Sequence, residues 1–252
     1  MTRATPGETI ALPTRDGVQP VKVFAPEGKP RGGVIFYMDA FGWRDELDGM
    51  AARYAASGWL TFLPDLYYRL GRIRFAPPPG PGGLDPAMNV ANSATTLDMT
   101  VADTAALLAF AARHHPGVKR FGAVGYCMGA RHALAASVNR PETVAAAACL
   151  HGGRLVWDGP DSPHHLIARA RTALYFAFAR DDETCPPAHQ SLIEATIREC
   201  GARAETEHYD AVHGWTFPTR WCHDRAAAER VFAKVLALFG REVAGDAAET
   251  QA

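Results

Sequence analysis

Phe121-Gly122-Ala123-Val124-Gly125-Tyr126-Cys127-Met128-Gly129 reads as an apolar strand running straight into a cysteine that has a glycine two residues to either side. A strand that turns sharply into a helix lifts the residue at the turn above the sheet edge. Glycines at these two places let the neighbouring backbones close in without Cβ clashes. The stretch therefore predicts a nucleophile elbow, with Cys127 where serine usually stands. Taken alone it also fits a buried structural cysteine in a glycine-rich turn, so the rest of the chain has to supply what a reactive thiol needs.

Around the elbow, short apolar runs alternate with longer helical patterns, the signature of βαβ units closing a parallel sheet. Strands are expected at 10–12 and 21–24 as an opening antiparallel pair, then at 33–38, 60–64, 121–126, 146–150, 173–179 and 204–209. Helices are expected at 46–56, 96–113, 128–138, 187–200 and 221–239, each with apolar residues at three- and four-residue spacing. The fold class is α/β, a mostly parallel doubly wound sheet flanked by helices, in one domain over residues 1–242. The small, polar segment 243–252 reads as a frayed tail. Between 69 and 86 the run Ala76-Pro77-Pro78-Pro79-Gly80-Pro81-Gly82-Gly83 breaks the rhythm and reads as a surface excursion. An insertion there, after a strand's C-terminal end, either borders a binding site or is a plain linker.

Composition narrows the function classes. With 26 basic and 27 acidic residues in 252, the net charge is −1, and no electrostatic field points to nucleic acid or an anionic membrane. The five cysteines, at 127, 149, 185, 200 and 222, are odd in number and lack C-x-x-C spacing, which argues against a disulfide framework and a zinc ribbon. No signal-like or membrane-spanning apolar stretch is read, so the expected location is cytoplasmic and the expected partner a small molecule. No metal and no cofactor are assigned, and the histidines outside the candidate site are taken as surface residues. The oligomeric state is left open.

A cysteine nucleophile needs a base, and the base needs an orienting partner. After the expected strand 173–179 stands Ala179-Arg180-Asp181-Asp182-Glu183-Thr184-Cys185-Pro186, and after 204–209 stands Tyr209-Asp210-Ala211-Val212-His213-Gly214-Trp215. His213 is the candidate base. Asp182 is preferred over Asp181 as its partner from the turn pattern, the alternative being that both aspartates cap the following helix.

The order Cys127, Asp182, His213, together with Pro64-Asp65-Leu66-Tyr67 and Asp39-Ala40-Phe41-Gly42, resembles the dienelactone hydrolase family over nearly the whole chain. The resemblance implies an α/β-hydrolase fold, a Cys-Asp-His triad and an oxyanion hole from the backbone N–H groups of Met128 and Ala40. It implies that Asp39, usually glutamate in the family, interacts with the resting thiol, or else only fixes its loop. The two arginines that hold the substrate carboxylate in the family are not clearly matched: Phe217 stands near one position and Arg220 arrives three residues late. Arg44, Arg69, Arg74, Arg131 and Arg180 remain as anion partners. A pocket including Trp43, Tyr67, Arg131, Trp215 and Phe217 would suit a less charged ester or lactone. The implied activity is hydrolysis of an activated carboxylic ester or lactone through a cysteine thioester. The competing reading is a non-hydrolytic thiol protein that senses oxidants or electrophiles through Cys127.

Overall fold

The structure, a computed structural model, describes residues 7–82 and 85–245. Its frame is one eight-stranded sheet in the order β1-β2-β4-β3-β5-β6-β7-β8. β1 (Glu8–Thr14) and β2 (Gly17–Phe24) form an antiparallel hairpin, and β2 pairs antiparallel with β4 (Leu60–Pro64). From β4 onward the sheet is parallel, through β3 (Gly33–Tyr37), β5 (Phe121–Tyr126), β6 (Val144–Leu150), β7 (Ala173–Asp181) and β8 (Ala204–Val212). β3, β4, β5 and β6 are buried at every position, as their unbroken apolar sequences require of strands covered on both faces.

Two helical layers cover the sheet. α3 (Leu97–His114) meets α4 (Met128–Asn139) where Thr100 Oγ1 and His132 Nδ1 lie 2.8 Å apart. α1 (Asp45–Ala56) meets α6 (Arg225–Phe239) through the Arg53–Glu229 ion pair and the edge-to-face contact of Tyr54 with Phe232. α5 (Pro187–Cys200) crosses from β7 to β8 and stops at Gly201, whose left-handed φ of 65° suits glycine.

Three expectations are corrected. The last helix begins at Arg225 rather than 221, because Asp224 accepts the Ala227 amide at 3.0 Å and sets the N-cap there. A helix the patterning missed, α2 (Pro86–Ala94), follows the Pro-Gly excursion; Asp85 caps it and Pro86 fills its first position. The expected tail does not fray from 243: Gly240–Ala244 continue in a π-helical turn and Val243 is buried, close enough that a Cβ on Gly32 would strike it. Residues 246–252 lie outside the described residues. Among the described residues no helix is long and apolar enough to cross a membrane.

Candidate active site

The parallel strands β5, β7 and β8 deliver the three expected residues to one edge of the sheet. Cys127 follows β5 and has φ 54°, ψ −114°, a left-handed conformation that a non-glycine residue adopts only under constraint. The constraint is visible in the two glycines. A Cβ on Gly125 would run into the Gly129 carbonyl, and one on Gly129 into the Tyr37 carbonyl at the end of β3. β5, α4 and β3 approach this closely because those residues carry no side chain. The Cys127 amide donates to Leu150 O at 3.1 Å and its carbonyl accepts from Gly153 N at 3.1 Å, which clamps the turn to the end of β6.

Asp182 follows β7, where the pairing with β8 shifts register between Ala179 and Asp181. Asp181 is exposed, and its carbonyl accepts the His213 amide at 3.2 Å. Asp182 turns inward, buried, with Oδ2 2.8 Å from His213 Nδ1. Its other oxygen accepts the Thr184 amide (2.8 Å), the Thr184 hydroxyl (2.7 Å) and the Cys185 amide (3.2 Å). The structure thus pairs His213 with Asp182, not Asp181. The capping alternative is also corrected, since α5 starts at Pro187 with Pro186 at its N-cap.

Burial disfavours charge on His213, but the neighbouring Cys127 and Asp182 outweigh it and hold the imidazole protonated well above 6.5. With Nδ1 spent on Asp182, Nε2 is the nitrogen left to face the thiol. Behind this ring lies His151, a residue sequence reasoning grouped with the surface histidines. It is fully buried, with ring centroids 5.1 Å from His213 and 4.9 Å from Trp215. Its Nε2 lies 2.7 Å from Thr216 Oγ1. Burial first, and then the His213 charge, push its titration well below 6.5. The available signal was its position one residue past the expected strand 146–150. His132 and His164 are buried too.

A cleft of about 280 Å³ opens over the thiol. Ala40, Met128 and His213 line it, with Phe41, Met88, Asn92, Arg154, Thr184, Arg220 and Trp221, and the excursion contributes Pro78 and Gly80 to Gly82. The Met128 amide is the first of α4, one of the donors a helix start leaves without an internal acceptor. Gly153 leaves room beside the thiol: a Cβ there would sit 3.7 Å from Cys127 Sγ.

The expected aromatic pocket is corrected. Trp215 and Phe217 are buried behind the site, packed on His151, and Trp43 lies under Lys22 and Arg74 rather than in the cleft wall. Tyr67 supports the site from below, donating its hydroxyl to Ala40 O at 2.9 Å. Apolar rings at strand ends serve equally well as core, and here the core claims them. Arg220, by contrast, does reach the cleft. Arg44, Arg69 and Arg74 are engaged by Asp39, by Asp16 and Asp103, and by Asp65. Both oxygens of fully buried Asp39 are taken by Arg44, at 2.6 and 2.9 Å, and Oδ1 also accepts the Phe41 amide at 3.2 Å. Of the two readings of Asp39, these contacts carry the one that fixes the Ala40 loop. Among the described residues no group of three or more His, Cys, Asp or Glu side chains is arranged to hold a metal.

Comparison with known proteins finds relatives over most of the chain. The chain is 25% identical over 212 residues to a "Putative carboxymethylenebutenolidase" of Escherichia coli (strain K12), covering 82% of this chain and 75% of that protein. A protein of the same description from Yersinia pestis is 23% identical over 246 residues, covering 92% and 87%. Among solved structures, a "Putative Dienelactone Hydrolase" from Klebsiella pneumoniae superposes with a TM-score of 0.82 at 21% identity, covering 93% of this chain and 98% of that one. A dienelactone hydrolase-like promiscuous phosphotriesterase from metagenomic libraries superposes at 0.73 with 18% identity, covering 94% and 99%. The dienelactone hydrolase family model matches residues 20–243, so this chain is a hydrolase of the dienelactone hydrolase family, with the α/β-hydrolase fold.

Proposed function

We propose that the chain hydrolyses an activated carboxylic ester or lactone through a thioester on Cys127. The observation that carries this reading is the relay from Asp182 through His213 to Cys127, with the thiol held at the elbow beside the first amide of α4. In the resting site the protonated His213 stands beside Cys127, whose thiolate is the attacking form. The sulfur attacks the carbonyl carbon, and the oxyanion forms against the amides of Met128 and Ala40, donors fixed before the reaction begins. The carbon–oxygen bond to the leaving group then breaks, and His213 gives that oxygen its Nε2 proton.

Acylation removes the negative charge on sulfur that helped to keep His213 protonated, so the imidazole is now neutral and competent as a base. It takes a proton from water, whose oxygen attacks the thioester carbon. Collapse breaks the carbon–sulfur bond, releases the acid and restores the ion pair. Asp182 holds the imidazole in the working tautomer throughout. A thiolate is expelled from a tetrahedral intermediate more readily than an amide nitrogen, so enol and phenol esters should react and peptides should not. Two of the curated relatives are described as "Putative carboxymethylenebutenolidase", and a butenolide is a lactone, which supports including lactones among the candidates.

Turnover of p-nitrophenyl acetate and a dienelactone by wild type and Cys127→Ala, with intact mass followed during the reaction, tests the reading. Many turnovers with a transient acetyl adduct, both lost in Cys127→Ala, are expected. A persistent single adduct without turnover would replace the hydrolytic reading with stoichiometric thiol modification.

A further inference from the structure

His213 Nδ1 has a second neighbour besides Asp182. Thr184 Oγ1 lies 3.0 Å from that nitrogen and 2.7 Å from Asp182 Oδ1, while Asp182 Oδ2 lies 2.8 Å from the same nitrogen. Proton counting assigns the roles. A hydroxyl has one proton and two lone pairs, and an ionised carboxylate has no proton to give. The Thr184 proton therefore goes to Asp182 Oδ1. The His213 Nδ1–H then points between two acceptors, Asp182 Oδ2 and a lone pair of Thr184 Oγ1.

The chain fixes this hydroxyl from three sides. The Thr184 amide donates to Asp182 Oδ1 at 2.8 Å, and its carbonyl accepts the Arg154 amide at 3.1 Å. A Cβ on Gly153 would sit 3.1 Å from Thr184 Oγ1 and 3.7 Å from Cys127 Sγ, so a glycine lets hydroxyl and thiol share one wall of the cleft. The other polar side chains near the thiol are committed elsewhere. Tyr67 donates to Ala40 O, and Arg131 stands outside the cleft wall with its Nη2 on Asn92 O at 3.1 Å. Among the described residues, Thr184 is the one whose side chain bonds both Asp182 and His213.

We propose that Thr184 is a positioning residue: its hydroxyl shares the Nδ1 proton of His213 with Asp182 and so keeps the ring aligned for hydrolysis of the thioester. The proposal rests on Cys127 being the site of ester attack. In the free enzyme the ring is drawn from both sides, by Cys127 and by Asp182. Acylation neutralises the sulfur, and the pull on the Nε2 side ends. The neutral ring must then present its Nε2 lone pair to water while its remaining polar contacts are all at Nδ1. One acceptor there leaves the ring free to pivot about a single contact, whereas two acceptors on different residues fix its plane. The hydroxyl therefore matters more to deacylation than to acylation.

The test uses Thr184→Val, which keeps the shape and leaves Asp182 Oδ1 its two amides, and Thr184→Ser, which restores the hydroxyl. With p-nitrophenyl acetate, burst and steady-state phases give the acylation and deacylation rates separately. Thr184→Val should slow deacylation about tenfold, the worth of one hydrogen bond, and acylation by less than about threefold. kcat and KM should fall together and the acetyl adduct should accumulate, with Thr184→Ser within about threefold of wild type. Equal losses in the two steps, or a serine variant no better than valine, would overturn the proposal. The imidazole Nδ1–H proton resonance, assigned by its loss in His213→Gln, reads the contact without any ester. It should shift in Thr184→Val and return in Thr184→Ser; an unmoved resonance would show that the proton is not shared and remove the proposal. Absence of turnover by wild type would instead defeat the ester reading, and the resonance then still decides whether Thr184 positions His213.

Discussion

His213 carries the largest electrostatic conflict in the site, and it makes a prediction about stability as well as rate. Its folded-state titration lies well above 6.5, because Cys127 and Asp182 outweigh the cost of burial. In the unfolded chain the same imidazole titrates near 6.5. Between those two values His213 holds a proton that the unfolded imidazole has released, which by itself makes stability fall as pH rises through the window, by at most about 1.4 kcal/mol per pH unit for one proton. A proton that Cys127 gives up on folding cancels that slope below about 8.5, where an unfolded thiol ionises. The contribution is fully present below 6.5 and gone above the folded value. Urea unfolding from about pH 6 upward should show this slope in wild type relative to His213→Gln, and a weaker slope in Asp182→Asn, which keeps only one of the two anions. Parallel profiles for wild type and His213→Gln would mean that folding takes up no net proton at His213, as when its proton comes from the Cys127 thiol. In the same Asp182→Asn variant, turnover should fall on the order of 10³ to 10⁴-fold, the cost of losing the histidine's orienting carboxylate.

Between β3 and α1 the sequence packs Asp39, Ala40 and Arg44 into one turn, and the element works as a unit. Arg44 precedes α1 and binds both Asp39 and Glu46, the latter at 2.7 Å, so the start of the helix and the loop below it share one cation. Replacing Arg44 by Met leaves Asp39 buried and uncompensated, a loss of about 3–5 kcal/mol. Adding Asp39→Asn removes that charge and should recover much of the loss. Chemical denaturation of the two single variants and the double variant checks this: additive losses would mean the pair is not coupled. Activity should stay low in all three, because the Ala40 amide loses its brace. Elements of this sort were only partly legible. The strands and the residues just past them could be read because a fully covered strand leaves an unbroken apolar run, and the turn after it is where a reactive side chain becomes accessible. Asp182 followed from the same logic. The bracing role of Arg44 was not readable, since a guanidinium has the same sequence signature whether it meets solvent, substrate or a buried carboxylate. Trp215 and Phe217 misled for a related reason: a ring at a strand end packs inward or lines a cleft according to a backbone path that periodicity does not encode. α2 was missed because its capping signal, Asp85-Pro86, sits at the end of a run whose prolines and glycines read as loop.

Across the whole molecule, the same eight-stranded sheet that brings Cys127 to its edge sorts the five cysteines by environment, and that sorting is measurable. Cys149 lies on β6 and Cys185 in the turn before α5, both buried; burial pushes the Cys149 thiol far above its usual value and the Cys185 thiol up to about 12. Cys222 is part-buried and raised as well, chiefly by burial. Cys200 is exposed at the end of α5, and Cys127 is partly buried in the wall of its cleft. Alkylation requires thiolate and access together, so iodoacetamide on the native protein at neutral pH should modify Cys127 and Cys200, with Cys222 slower and Cys149 and Cys185 protected. Unfolding in guanidinium should expose all five. Peptide mapping of a time course separates them, and a substrate-derived thioester on Cys127 should remove that site alone from the fast class while leaving Cys200 unchanged. Rapid labelling of Cys149 or Cys185 in the native state would mean that β6 or the Asp182 turn opens readily. The relay would then not be held in place by the sheet, because Asp182 and Cys185 share that turn through the 3.2 Å bond from the Cys185 amide to the Asp182 carboxylate.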